Sequence, residues 1–252
     1  MVQAPQRTSL SGPTLIRLLA RLTDVDVPES RQSLSDRLSQ WLGWADAIAL
    51  SAALNGDAPA VASGARAFGS AEERACVHVR TALANAITGD GASAPAKRRG
   101  QAQAPTQEDP AGEVADYSLY RQRYLSLQQA METDIGSLRG RLRKMLAARS
   151  SAMARLATVD AVMEDALSAR ERSLLGAVPG LLEGHFARLR QAGQAALADP
   201  QASREPAALT SSAWLDVFRK DMRSVLLAEL DIRFQPVEGL LAALRSSNQL
   251  TS

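Results

Sequence analysis

The sequence predicts an all-α protein: a long-helix bundle or hairpin, preceded by a smaller N-terminal helical module and a disordered linker. Three observations predict it. Alanine and leucine supply much of a 46% hydrophobic content, while aromatic residues make up only 4% of the chain, and both alanine and leucine lose little on entering a helix. From Tyr117 to Leu167 apolar side chains recur every three or four residues, through Tyr120, Tyr124, Leu127, Met131, Ile135, Leu138, Leu142, Met145, Ala148, Ala152, Leu156, Val159, Met163 and Leu167. That spacing lays a stripe along one helical face. Strand-type alternation occurs nowhere, and no repeat of solenoid period is present.

The elements follow in order. Pro13, after Ser11 and Gly12, suits a first helical turn and opens a short helix to about Leu22. A loop from Asp24 to Ser30 precedes a second helix, whose buried stripe is expected to be Leu34, Leu38, Trp41, Ala45, Ile48 and Ala52. Asn55-Gly56 ends it. Asp57 to Gly69 reads as a loop, and Ser70 with Glu73 as a capping box opening a third helix through Leu83 and Ile87. Residues 1–88 thus form the N-terminal module. Residues 89–112 hold no apolar side chain larger than alanine or proline. Ordering them would cost entropy with nothing buried in return, so they read as the linker.

The bundle spans 113–252. Its first helix runs from Glu113 to about Ala148, and Ser150-Ser151 supplies a break and an N-cap that fold the next helix back. Gly136 and Gly140 inside the first helix are expected to be close-packing points. Gly176, Pro179 and Gly180 predict an interruption near Ala177. Ala198 to Thr210 reads as a loop, with Ser212 capping a last long helix that Pro236 kinks or restarts. Along the seam the spacing averages the period of a straight helix, with doubled steps at Met131 and Met145. A globular bundle fits that better than a free two-stranded coiled coil.

Bulk charge excludes little. A formal net charge of +2 does not by itself argue for nucleic acid or an anionic membrane. The single cysteine, Cys76, forbids an intrachain disulfide and fits a reducing compartment. Arg7, Arg17 and Arg21 interrupt any signal-like apolar run, and no stretch reaches the ~18 apolar residues of a membrane span. The expected location is the cytoplasm.

Chemistry is sparse. Cys76 and His78 point about 200° apart on a helix and cannot face one ion. With two histidines and no Gly-x-Ser-x-Gly turn or glycine-rich phosphate loop, no triad or nucleotide site assembles. No enzymatic activity, cofactor or metal is therefore expected. Two surfaces stand out instead. Tyr117, Tyr120 and Tyr124 share a helical face beside Arg121, the residue types of a partner hot spot, although the same face would equally anchor the first turns of the helix on the rest of the bundle. Arg139, Arg141, Arg143, Lys144, Arg149 and Arg155 form an acid-free run that could meet phosphates or an acidic partner. Asp160, Glu164 and Asp165 follow it, so a hairpin at Ser150 would let those acids pair with the arginines before the turn.

Several phrases carry a resemblance: Pro13-Thr14-Leu15-Ile16-Arg17-Leu18-Leu19, Ala169-Arg170-Glu171-Arg172 with Val178-Pro179-Gly180-Leu181-Leu182, and Trp214-Leu215 through Phe218 to Leu227-Ala228-Glu229-Leu230-Asp231. The chain resembles a proteobacterial family of helical proteins of about 250 residues, built on a domain of unknown function. The resemblance transfers no activity and no catalytic residue. It implies a cytoplasmic accessory to a cell-envelope complex. The function expected is that of a non-catalytic interaction or scaffold protein that binds another protein or self-associates. The alternative is nucleic-acid or anionic-surface binding through Arg139 to Arg155.

Overall fold

The computed structural model describes residues 13–25, 32–56, 69–89, 116–198 and 207–249. Among them are eight α-helices and no strand: α1 (Thr14–Thr23), α2 (Leu34–Trp41), α3 (Trp44–Asn55), α4 (Ser70–Thr88), α5 (Tyr117–Ala147), α6 (Ser151–Gly176), α7 (Val178–Ala198) and α8 (Ala207–Gln249). Most of the predicted linker, the tract 57–68, and parts of the predicted loops at 24–30 and 198–210 lie outside the described residues. No helix among those described is long and apolar enough to cross a membrane.

The centre is a hairpin flanked by a third long helix. Asp116 caps α5 by accepting from the Ser118 amide at 2.9 Å. Ser150 caps α6 by accepting from the Met153 amide at 3.2 Å. The turn between them reverses the chain, so Arg139 meets Asp160 and Gln128 reaches the Leu175 carbonyl. After a single non-helical residue, Ala177, α7 continues away from the hairpin. Helix α8, about 65 Å long at ~1.5 Å per residue, runs parallel to α5 and antiparallel to α6 and α7. It begins five residues before Ser212, the expected cap, and passes through Pro236 without a break.

Helix α5 packs along both α6 and α8, and those two touch each other little. Its stripe fills the core: Tyr124, Met131, Ile135, Leu138, Leu142 and Leu146 are buried against Val225, Leu226, Val237 and Leu244 of α8 and the rest of one apolar cluster. At the lower end Tyr117, Tyr120, Phe186, Phe218 and Trp214 interlock edge to face or tilted, with centroids 4.9–6.1 Å apart. There α7 and α8 approach so closely that a Cβ on Gly193 would lie 2.7 Å from the Trp214 ring.

The N-terminal helices take their main contacts from the long ones. Helix α1 packs on α7 and α8, α3 on α6, and α4 on α8 and α5. Short helices of this kind gain most of their stability from tertiary packing.

Three local expectations are corrected. Residues 34–55 are two helices, because Leu42 turns extended and Gly43 starts a new helix whose Asp46 carboxylate accepts the Gly43 amide at 2.9 Å. Ala45, Ile48 and Ala52, expected in a buried stripe, are exposed, and the Leu34 side chain lies outside the description. The cap of α4 sits one residue early, with Glu72 accepting the Gly69 amide at 3.0 Å. Gly136 and Gly140 have open space where a Cβ would stand, so neither is a close-packing point.

Candidate functional site

The aromatic surface expected at Tyr117, Tyr120, Arg121 and Tyr124 turns inward. Tyr124 is 0% exposed and donates its hydroxyl to Glu229 Oε2 at 2.7 Å. Burial, then the neighbouring Glu229 carboxylate, pushes its pKa far above the ordinary tyrosine value. Tyr117 donates to the Pro179 carbonyl, and burial with the Glu183 charge pushes it up to about 12. Tyr120 packs on Phe186 and Phe218. Only Arg121 of the four projects into solvent. Spacing placed these residues on one helical face but carried no information on which way the face pointed.

Glu229 is the polar centre of the bundle. It too is 0% exposed. Gln128 Nε2 donates to both of its oxygens, at 2.9 and 3.1 Å, and Arg233 Nε donates to Oε1 at 2.9 Å. Arg233 reaches out to Glu171 at 3.0 Å, and Gln128 also donates to the Leu175 carbonyl at 3.0 Å. Every oxygen of Glu229 is therefore occupied, by Tyr124, Gln128 and Arg233. Such a carboxylate locks α5, α6 and α8 in register and has no lone pair spare to act as a base. In the sequence its only signal was an acid inside the apolar run 225–234 with an arginine four residues on.

The basic run is divided by its own hairpin. Arg139 binds Asp160 through Nε at 2.9 Å and Nη2 at 2.7 Å, and its Nη1 meets Glu164 at 3.2 Å. Arg143 pairs with Glu164 as well. Burial works against the charge of Arg139, and the hydrogen bond and charges of Asp160 and Glu164 more than offset it, so its pKa is raised. Arg155 donates to the Gly56 carbonyl at 3.2 Å. Arg141 and Lys144 stay exposed, and Arg149 is half-buried at the turn. The six cations do not form one continuous face.

Among the described residues no three His, Cys, Asp or Glu side chains gather to hold a metal ion. His185 Nε2 lies 2.9 Å from Asp221, beside Phe218, with no nucleophile given to it. Cys76 is buried, which pushes its thiol up. A cleft of about 230 Å³ between α5, α6 and α8 has Met131, Ile135 and Leu167 as its floor and Arg139, Glu164 and Arg233 at its edge. All three charged groups are already paired. A second, of about 370 Å³, lies beside Tyr117, Glu183 and Arg190.

One surface remains without cover. Helix α3 has nine apolar residues of twelve and buries none of them. Trp44 is 83% exposed, Ile48 53% and Leu54 49%. Trp44 and Ile48 lie one turn apart on the side opposite the half-buried Asp46, Leu50 and Ala53, with Leu54 on a flank. The helix has one charge, Asp46, and that side chain caps Gly43.

A family described as protein of unknown function (DUF3348) matches residues 1–246. The chain belongs to that family. No curated protein and no solved structure matches it. Membership in DUF3348 agrees with the resemblance drawn from the helix-packing phrases. The match takes in α3 and the Glu229 network alike, and it assigns no chemistry to either.

Proposed function

We propose that this DUF3348 protein is a non-catalytic interaction protein that docks through α3 into an apolar cleft of a partner protein. The observation that carries the reading is the outward face of α3, where Trp44 and Ile48 stand exposed one turn apart on a helix with no free charge. Trp44 and Ile48 are one turn apart, with Ser51 and Ala52 a turn further on, the anchor spacing of a helix laid in a groove. Large exposed apolar side chains grouped on one face mark such surfaces more often than they decorate a free one. The uncharged arc asks for an apolar counterpart.

Area bears on the choice of occupant. The helix is about 18 Å long at ~1.5 Å per residue, and its one face falls short of the roughly 800 Å² per partner of a standard flat interface. A cleft would cover both flanks as well. The proposed partner belongs to a cell-envelope complex, as the family resemblance implies. The phosphate-binding reading is weakened because Arg139 and Arg143 are spent on Asp160 and Glu164.

The test is a pull-down of the tagged full chain from its native cells, run in parallel with a Trp44→Ala/Ile48→Asp variant and an Arg141→Glu/Lys144→Glu variant. The expected result is a partner retained at moderate salt by the second variant and lost by the first. Loss in the arginine–lysine variant alone would turn the reading to an anionic partner. Sedimentation velocity on the same proteins separates self-association, which would appear as a dimer abolished by the α3 substitutions.

A further inference from the structure

Helix α4 is fastened differently from the central helix α5. Of its nineteen residues only Cys76, Leu83 and Ile87 are buried, against eight in α5. Its polar contacts with α8 are charge pairs with solvent-facing side chains. Arg80 meets Asp231 at 2.6 Å and also Glu238, and Glu73 meets Arg245 at 2.7 Å. Asp231, Glu238 and Arg245 recur at seven-residue intervals, so they line one edge of α8. Phe234 and Leu241 lie between them, buried, and the Arg80 guanidinium sits 5.4 Å from the Phe234 ring centroid. Arg123 of α5 holds the other end, donating to the Ala86 and Gly89 carbonyls at 2.8 Å each.

We infer that α4 is a strap fastened to α8 in part by exposed charge pairs, which opens as a unit and uncovers an apolar strip on α8 around Phe234 and Leu241. The occupant of that strip is fixed by complementarity of sign. The cation on α4 faces two anions on α8, and the anion on α4 faces a cation, so the pairing is satisfied only in this direction and register. Exposed pairs of this kind are weak and are screened by salt, whereas the Glu229 network is shielded from it. Elements with few buried contacts and solvent-facing bonds are the ones that open below the global unfolding transition. The inference is independent of the α3 reading, because the two helices lie on different faces of the bundle.

Cys76 reports the opening. It is the only cysteine in the chain and lies on the buried face of α4 near the Glu73–Arg245 pair. Maleimide labelling of the full chain, normalised to the unfolded chain at the same salt, measures how often α4 lifts. Between ~0.05 M and ~0.5 M salt the rate is expected to rise about fivefold, the screening of a few exposed pairs. Hydrogen exchange should speed up in α4 peptides and not in α5 peptides. Arg80→Gln should label faster at low salt and respond less to added salt. Labelling that ignores salt, or that follows the same urea dependence as global unfolding, overturns the inference. The salt series on the natural sequence decides even if the variant does not fold.

Discussion

Helix α3 and helix α5 received opposite treatment from the same fold. By content α3 is the more apolar, with nine of twelve residues, whereas α5 has fourteen of thirty-one. Yet α5 buries eight side chains and α3 none. Position decides. Helix α5 has long neighbours on two sides, α6 and α8, and its apolar residues repeat at the helical period, so one stripe meets both. Among the described residues helix α3 packs chiefly on α6, and its apolar residues surround it. Apolar content measures what a helix could bury. Its neighbours determine how much it does, and the surplus on α3 is what makes that helix a docking candidate.

The sharpest way to break the comparison is to attack the charge that α5 helps to bury. Arg233→Met leaves Glu229 dehydrated with Gln128 and Tyr124 but no cation, and breaking a buried pair from one side costs about 3–5 kcal/mol. Urea unfolding followed by circular dichroism should record a loss of that size. A loss under ~1 kcal/mol would mean that the carboxylate is relieved by protonation or by water, and that the network does not set the register of α5, α6 and α8.

A matched pair of truncations tests burial directly. Ile135→Ala removes a buried side chain on α5 and is expected to cost about 2–5 kcal/mol. Ile48→Ala removes the same atoms from the outer face of α3 and should stay within about 0.5 kcal/mol. Comparable costs at the two sites would show that α3 is covered in the free protein, by another copy or by its own chain, and would remove the basis for docking through it.

What was legible in the sequence follows the same division. The stripe from Tyr120 to Leu142 was readable because its period is enforced by packing on two sides. The Ser150 turn was readable because a cap leaves a chemical signature. Pairing of Asp160 and Glu164 with Arg139 and Arg143 followed once the hairpin was supposed. The stripe failed beyond the turn. Leu156, in register with the seam, is 41% exposed, and Ala154 and Ala157 are buried in its place. The reversal of chain direction resets which face meets α5, and a continuing period cannot report that. Where the N-terminal helices pack was illegible for another reason. Nothing local distinguishes a helix that packs on its sequence neighbours from one that packs on a helix a hundred residues away. Glu229 was hidden because its partners, Tyr124 and Gln128, are supplied by another helix.

The two glycines of α5 offer the smallest effect and a clean sign. Gly136 and Gly140 were expected to mark close helix contacts, where a methyl group would collide. In the structure a Cβ at either position meets nothing within 4 Å. Both lie inside a regular helix, where glycine costs roughly 0.5–1 kcal/mol relative to alanine through the freedom it loses on folding. Gly136→Ala and Gly140→Ala should therefore each stabilise the protein by up to about that amount, and the double variant by about the sum if the sites act independently. Gly136 borders the cleft between α5, α6 and α8, which makes it the more informative of the two. If Gly140→Ala stabilises and Gly136→Ala does not, the cleft needs the room that glycine leaves, and the midpoint of α5 joins α3 as a surface shaped for something other than stability.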